Sequence, residues 1–407
     1  MLLRLALRNI WRNRRRSLLT LSAMVVSASL LILALGVFSG MLADILASAT
    51  EQYQGHLVIA RDGYQEDHDL FANFTPTART LETLRADPAV LGAAPRLRGF
   101  GLVSHGQATY PAELLGIDPA AEGQVTTLAE RLSAGRYLAS DEEDGALIGT
   151  GLAARLGVRP GDELVFVTQA ADGSIGNDLL RVEGIFATGD SSHDNGLVLV
   201  DLAWLQRLMV LPAKVHEIAV RLAEPMAAAS VAARINPWLP AGLTALGWET
   251  LLPEMKEVIA SFDVSRMIIV IILYLATALG ILNTFFMSVL ERTREFGVLM
   301  AIGMRPWKIR ALVLLESLVM GGFALLVGVS LGLLMSLYMA RYGVDLSATM
   351  TPITYAGGTL PPRLHAVIVT GNVVLPAALL LVVCLLAGFL PANRAAKLKV
   401  VEALRDD

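Results

Sequence analysis

Four stretches of this 407-residue chain carry no charged residue: Ser17 to Ala43, Met267 to Leu290, Ser317 to Ala340 and Ala366 to Asn393. Each exceeds the roughly 20 residues that cross a hydrocarbon core of about 30 Å at about 1.5 Å per helical residue. Each therefore predicts a transmembrane helix. The arginine-rich start and Ala47-Ser48-Ala49 imitate a signal peptide, whose apolar region runs only about 7–15 residues. The first stretch has 27, so a retained helix is expected.

Between the first two spans the rhythm changes to short apolar runs. His56 to Ala60, Gly145 to Ile148, Glu163 to Thr168 and Gly196 to Val200 predict strands, separated by turns at Arg159-Pro160-Gly161-Asp162 and Ala171-Asp172-Gly173. Helical periodicity occupies Ala78 to Arg85, Gly151 to Leu156 and Ala203 to Val210. The expected fold class is an α-helical membrane protein with four transmembrane helices and an α+β extracytoplasmic domain inserted between helices 1 and 2. That domain is expected as two lobes, one built from both ends of the insert and a distal one near residues 95–200. The predicted layout is an interfacial helix (1–16), span one (17–43), the insert with its stalk ends (44–266) and span two (267–290). A loop (291–310), span three (311–340), a short outer loop (341–365), span four (366–390) and a tail (391–407) complete it.

Composition agrees with this layout, at 54% apolar and only 17% charged residues. The net charge of -4 conceals a segregation: Asp44 to Arg266 holds 30 acids against 16 bases, and the rest of the chain sums to +10. Six arginines and no acid occupy the first sixteen residues, five bases lie between Glu291 and Arg310, and Arg394, Lys397, Lys399 and Arg405 follow span four. The positive-inside rule places all three segments in the cytoplasm and the insert outside it.

The one cysteine, Cys384, lies in span four, so no disulfide braces the insert. No phosphate-cradling G-x-x-x-x-G-K-[ST] pattern occurs, so any ATP would be bound by another chain. Asp67-His68-Asp69 and Asp190-Ser-Ser-His193-Asp194 are read as solvated loops, and no metal site is expected. Nothing points to nucleic acid.

Arg4, Arg8 and Arg12 share one face of an N-terminal helix whose other face is apolar, a pattern that lies in the membrane interface against lipid. Span one at about 40 Å outruns the bilayer core. Leu251, Leu252, Met255, Val258, Ile259 and Phe262 keep helical spacing into span two, which predicts a stalk without a flexible linker. In the loop, Phe296, Leu299, Ile302, Trp307 and Ile309 interleave with Arg292, Arg294, Glu295 and Arg305, which makes an amphipathic docking surface. Gly328-x-x-x-Gly332 permits close helix approach, and Pro376 is expected to kink span four. Glu316, one turn inside span three, is either functional or structural, with Arg310 or an N-terminal arginine as its expected partner.

These residues resemble the MacB/FtsX-type permeases of ABC transporters, most of all the lipoprotein-release LolC and LolE branch. The likeness is carried by Glu291-Arg-Thr-Arg-Glu-Phe-Gly-Val-Leu-Met-Ala-Ile-Gly-Met304 and by Pro391-Ala-Asn-Arg-Ala-Ala-Lys-Leu-Lys-Val-Val-Glu-Ala-Leu-Arg405. In the insert it is carried by Ala86 to Arg96, Leu115 to Pro119, Leu147 to Gly157 and Val182 to Gly189. The start, Leu5 to Arg14, looks more like permeases in general. The resemblance implies a non-enzymatic subunit that works by mechanotransmission and releases lipoproteins or other amphiphiles from the outer leaflet. It implies two copies of a separate ATPase, which bind the ATP and Mg, and a pairing as a homodimer or as a heterodimer with a similar permease. A periplasmic carrier or adaptor is a further implied partner. The ATPase-coupling residues it implies are Glu291, Arg292, Thr293, Arg294, Glu295, Phe296, Gly297, Leu299, Gly303 and Met304. The alternatives are an FtsX-like signalling scaffold that activates a periplasmic partner and a MacB-like toxin or peptide exporter.

Overall fold

The computed structural model describes residues 2–12, 14–139, 144–349, 353–355 and 358–398. They form two compact units, one from Asp44 to Ile259 with the described residues of 351–362, the other from the remainder. Residues 399–407, the last part of the tail motif, lie outside the described residues.

The chain opens with α1 (Leu2–Arg12) and α2 (Arg14–Ala49). At 36 residues α2 is about 54 Å long, against a hydrocarbon core of about 30 Å. One π-helical segment, Thr50–Gln54, continues it. Gly55 ends this segment at φ 85°, with its N–H on the Thr50 carbonyl. A Cβ there would also stand 3.2 Å from the Val220 carbonyl oxygen, so glycine suits the site twice over.

The insert is built on one ten-stranded sheet. Its strands are β1 (Leu57–Arg61), β2 (Val90–His105), β3 (Ala108–Ile117), β4 (Leu132–Gly135), β5 (Gly145–Gly149), β6 (Glu163–Gln169), β7 (Ile175–Phe186), β8 (Leu197–Asp201), β9 (Glu217–Leu222) and β10 (Leu243–Gly247). The order is β10-β1-β9-β2-β3-β8-β5-β7-β4, with β6 pairing β2 and β7. The two ends of the insert meet where β1 pairs antiparallel with both β9 and β10. The expected two lobes are thus two ends of one sheet, joined through the 16-residue β2, which pairs β9 in its first half and β3 and β6 in its second.

Central strands read as unbroken apolar runs because both faces are covered. In β8, Val198 and Val200 enter one core with Ile148, Phe166 and Trp204, while Leu197 and Leu199 enter another with Tyr53, Leu147 and Phe186. Short helices α3 (Ala78–Ala86), α4 (Pro119–Val125), α5 (Thr150–Leu156) and α6 (Leu202–Leu208) connect the strands. Thr77, Asp118 and Asp201 cap three of them by accepting the N–H groups of Thr80, Ala120 and Trp204.

The chain then enters α7 (Pro253–Glu291), α8 (Thr293–Ala301), α9 (Pro306–Tyr342) and α10 (Gly371–Ala396). The helices α2, α7, α9 and α10 are long and apolar enough to cross a membrane. Their shared core includes Met24, Leu31, Phe285, Phe296, Ile309, Leu312 and Leu380. A Cβ on Gly328 would stand 2.9 Å from the Ala28 Cβ, and one on Gly332 would stand 3.0 Å from the Ile32 Cβ. The small-residue spacing is the seam between α9 and α2, where bare backbone allows dense packing.

Candidate functional site

The site begins where α7 stops. Arg292 leaves the helical conformation at φ -110° and ψ 14°, and α8 starts at once behind it. This turn sends the Arg292 side chain back into the bundle, where it is 7% exposed. Its Nη1 donates to both carboxylate oxygens of Glu316, at 3.1 and 3.0 Å, and its guanidinium lies 5.0 Å over the Phe296 ring. The Asn9 Nδ2 donates to Glu316 Oε1 at 2.6 Å. Glu295 accepts from Arg292 Nε at 3.1 Å and also pairs with Arg12.

Five side chains from α1, the α7–α8 turn, α8 and α9 thus form one polar chain around Glu316. Burying a carboxylate costs several kcal/mol, about as much as its pairing returns, so this cluster specifies which helices meet more than it adds stability. The expected partner of Glu316 is corrected here. Arg310 lies six residues earlier on α9, about 120° away around a helix of 3.6 residues per turn; Arg292 takes its place, and the last turn of α1 supplies the Asn9 amide in place of an arginine.

The residues implied for ATPase coupling divide into two sets. Arg292, Phe296 and Gly297 are buried, Phe296 completely, and Ile309 beyond them is fully buried as well. Thr293 donates to the Leu290 carbonyl at 2.8 Å, and Leu299 is half-buried. Gly303, at φ 96°, and Met304 donate to Met300 and Leu299 and close α8 with a left-handed cap. Glu291 and Arg294 lie on the exposed side with Val298, Ile302, Arg305 and Trp307. Ile302 is 76% exposed and Trp307 57%. The exposed face is therefore narrower than the helical pattern suggests: Phe296 and Ile309 are enclosed in the bundle, and Arg294, Val298, Ile302, Arg305 and Trp307 stand at the surface.

A second polar cluster, in the insert, has no counterpart among the residues singled out from the sequence. Arg96, wholly buried on β2, forms a two-pronged pair with Glu122 of α4, at 3.0 and 2.6 Å. Two residues along, Arg98 donates to Glu113 at 2.6 Å, to Glu217 at 2.9 Å and to the Tyr53 hydroxyl at 2.7 Å. Burial opposes ionisation of Glu217, but the guanidiniums of Arg98 and Arg96 outweigh it and hold the carboxyl below its usual range. Burial likewise pushes the Tyr53 hydroxyl far up, so it stays protonated. Tyr53 belongs to the π-helical end of α2, so the cluster fixes that end to the sheet. The available signal was the i, i+2 arginine pair in an otherwise apolar stretch, which puts both charges on one face of a strand.

Among the described residues no group of three or more His, Cys, Asp or Glu is placed to hold a metal. Asp194 accepts from Thr188 and Gly189, and Asp190 caps the short helix after it.

Comparison with known proteins bears on what this arrangement serves. A model of the MacB-like periplasmic core domain matches residues 17–237, more than half of the chain, and one of the FtsX-like permease C-terminal domain matches residues 267–400. The chain belongs to the FtsX/MacB permease family. This permease is 25% identical to the lipoprotein-releasing system transmembrane protein LolC of Xylella fastidiosa over 404 residues, 96% of this chain and 93% of that protein. It is 23% identical to LolE of Haemophilus influenzae over 331 residues, 79% of each. It is 30% identical to the macrolide export ATP-binding/permease protein MacB of Hyphomonas neptunium, over 39% of this chain and 21% of that protein. The permease is thus a multi-pass ABC transporter permease of the LolC/LolE and MacB type, with a periplasmic core domain between its first two spans.

Proposed function

We propose that this permease is the membrane subunit of an ATP-driven extractor of lipoproteins or other amphiphiles, acting on the outer leaflet of a bacterial inner membrane. Two copies of a separate ATPase hydrolyse the ATP, and two permeases, identical or similar, complete the complex. The N-terminus, the loop around α8 and the tail are cytoplasmic, a reading that the segregation of basic residues supports.

The observation that carries this reading is the two-sided build of α8. Its buried side is tied to two spans and α1 through Arg292, Phe296 and Glu295, and its other side offers Val298, Ile302 and Trp307 beside Arg294 and Arg305. A partner that moves this surface moves α7 and α9 with it. At 36 and 39 residues, α2 and α7 have the length to carry that motion past the bilayer. The substrate class is supported by the near full-length likeness to LolC and by the absence of an ionic path, since Glu316 is the one charged side chain in the spans and it is paired.

The test is reconstitution with the partner ATPase. Ile302→Asp with Trp307→Ala should abolish stimulation of ATP turnover at an unchanged melting temperature, and depletion of the permease should mislocalise lipoproteins. Full stimulation by the variant removes the coupling surface. Normal lipoprotein sorting, together with drug or peptide sensitivity, selects the MacB-like export reading, which the MacB-like core domain over residues 17–237 favours as the second choice.

A further inference from the structure

At the α1 end of the membrane unit, three helices leave a groove of about 440 Å³ open to the side, within the range of about 300–1,000 Å³ common for small-molecule sites. Its lining runs from Trp11 on α1 and Arg14 on α2 to Leu18 and Leu21 on α2 and Phe323 on α9. Arg14, Leu18 and Leu21 fall at i, i+4 and i+7 and share one stripe of the helix. Leu21 lies about 10 Å further along the axis than Arg14.

The groove is thus graded along its length. At one end the Arg14 guanidinium stands 4.9 Å over the Trp11 ring, the pairing of aromatic and cation that marks headgroup level. Towards the other end Leu18, Leu21, Met320 and Phe323 line the groove, with Leu18 62% and Phe323 54% exposed. An amphiphile aligned with the helices has the same gradient.

The charge around the Arg14 end selects the sign of the headgroup. Arg8 and Arg15 are exposed on the same two helices, and no acid occurs in the first sixteen residues. We propose that this groove binds one anionic phospholipid of the leaflet that meets the N-terminal end of α2, with its phosphate on Arg14 and an acyl chain along Leu18, Leu21 and Phe323. The bound lipid braces the last turn of α1, next to Asn9 and Arg12, which hold Glu316 and Glu295. The site is independent of what the permease exports.

Native mass spectrometry of the full-length permease, challenged with phosphatidylglycerol or phosphatidylcholine, tests this. One phosphatidylglycerol should survive activation that strips phosphatidylcholine. Arg14→Ala should lower its retention about fivefold, the value of one basic residue at an anionic surface. Leu18→Trp, which fills the groove, should abolish retention. Both residues are exposed, so both variants should fold. Equal retention of the two lipids, or unchanged retention in either variant, overturns the proposal. Efficient crosslinking between Leu18→Cys copies in membranes also overturns it, by making the groove a seam between permeases.

Discussion

Arg292 and Glu316 meet at 3.0 Å inside the bundle, one at the start of the loop and the other on the span that follows it, and the Asn9 amide closes on the same carboxylate at 2.6 Å. Removing one partner leaves a buried, uncompensated charge, which costs about 3–5 kcal/mol. Arg292→Leu and Glu316→Leu should each lower the melting temperature in detergent strongly, and the double variant should recover most of the loss. If the pair also carries motion, the double variant stays deficient in stimulating the partner ATPase. A double variant as unstable as the single ones would show that the two side chains do not act as a pair.

The seam between α2 and α9 makes a second prediction. Gly332→Ala puts a Cβ 3.0 Å from the Ile32 Cβ and 3.1 Å from the Ser29 backbone, so it should destabilise by about 1–3 kcal/mol. Gly322→Ala meets nothing within 4 Å and should be neutral or slightly stabilising, because alanine favours a helix over glycine by about 1 kcal/mol. Thermal unfolding of the two variants side by side decides it, and equal melting temperatures would mean the seam is loose.

In the insert, Glu122→Gln removes the charge that faces Arg96 but leaves much of the shape. Hydrogen exchange of the intact protein should then show lost protection in β2 and β9, which share Arg96 and Glu217, with little change in β5 and β7. Uniform loss over the whole insert would mean that the cluster supports the entire domain and not its junction.

The same cluster sets an acid limit. Burial holds the His216 ring below its ordinary value of 6.5, and this ring accepts the Arg98 N–H at Nδ1 while its Nε2 meets the Leu70 carbonyl. Glu217 is also held below its ordinary value of 4.5. Both groups bind protons more readily unfolded, so the stability they contribute is complete above those ordinary values and is lost as pH falls through the folded ones. Protection of β2 and β9 should therefore weaken in two stages, the first starting below about pH 6.5 and the second below about pH 4.5. His216→Gln should flatten the first stage only. An unchanged pH profile in that variant would assign the first stage to other groups.

Some of this architecture is plain from the chain itself. Four uncharged stretches of more than 20 residues admit few other readings, because a backbone crossing lipid has to satisfy its own hydrogen bonds. Strands such as β5 and β8 announce themselves as apolar runs between turn residues, since both their faces are buried. Residues 90–117 do not, because Gly92, Pro95, Gly99 and Gly101 interrupt the alternation and two arginines stand where apolar residues would be expected. Their strands exist because Glu122 and Glu217 arrive from α4 and β9, and Glu113 faces Arg98 from the paired strand β3, to neutralise those charges.

The loop after span two divides in the same way. Its amphipathic spacing, the glycine that ends α8 and the proline that opens α9 are local properties of the sequence, and they determine that a short helix lies there. Which side of that helix is buried is not local. Phe296 and Ile302 are both large and apolar, yet one is fully enclosed and the other 76% exposed. Only the arrival of Asn9, Arg12 and Glu316, the last on the following span and the other two nearly three hundred residues away in sequence, decides it. Hydropathy thus determined the four spans and the position of the insert between the first two, because those depend on the solvent around each segment. Tertiary structure alone decided the partner of Glu316, the covered face of α8 and the burial of Arg96, because each depends on a charge or surface supplied by another part of the chain.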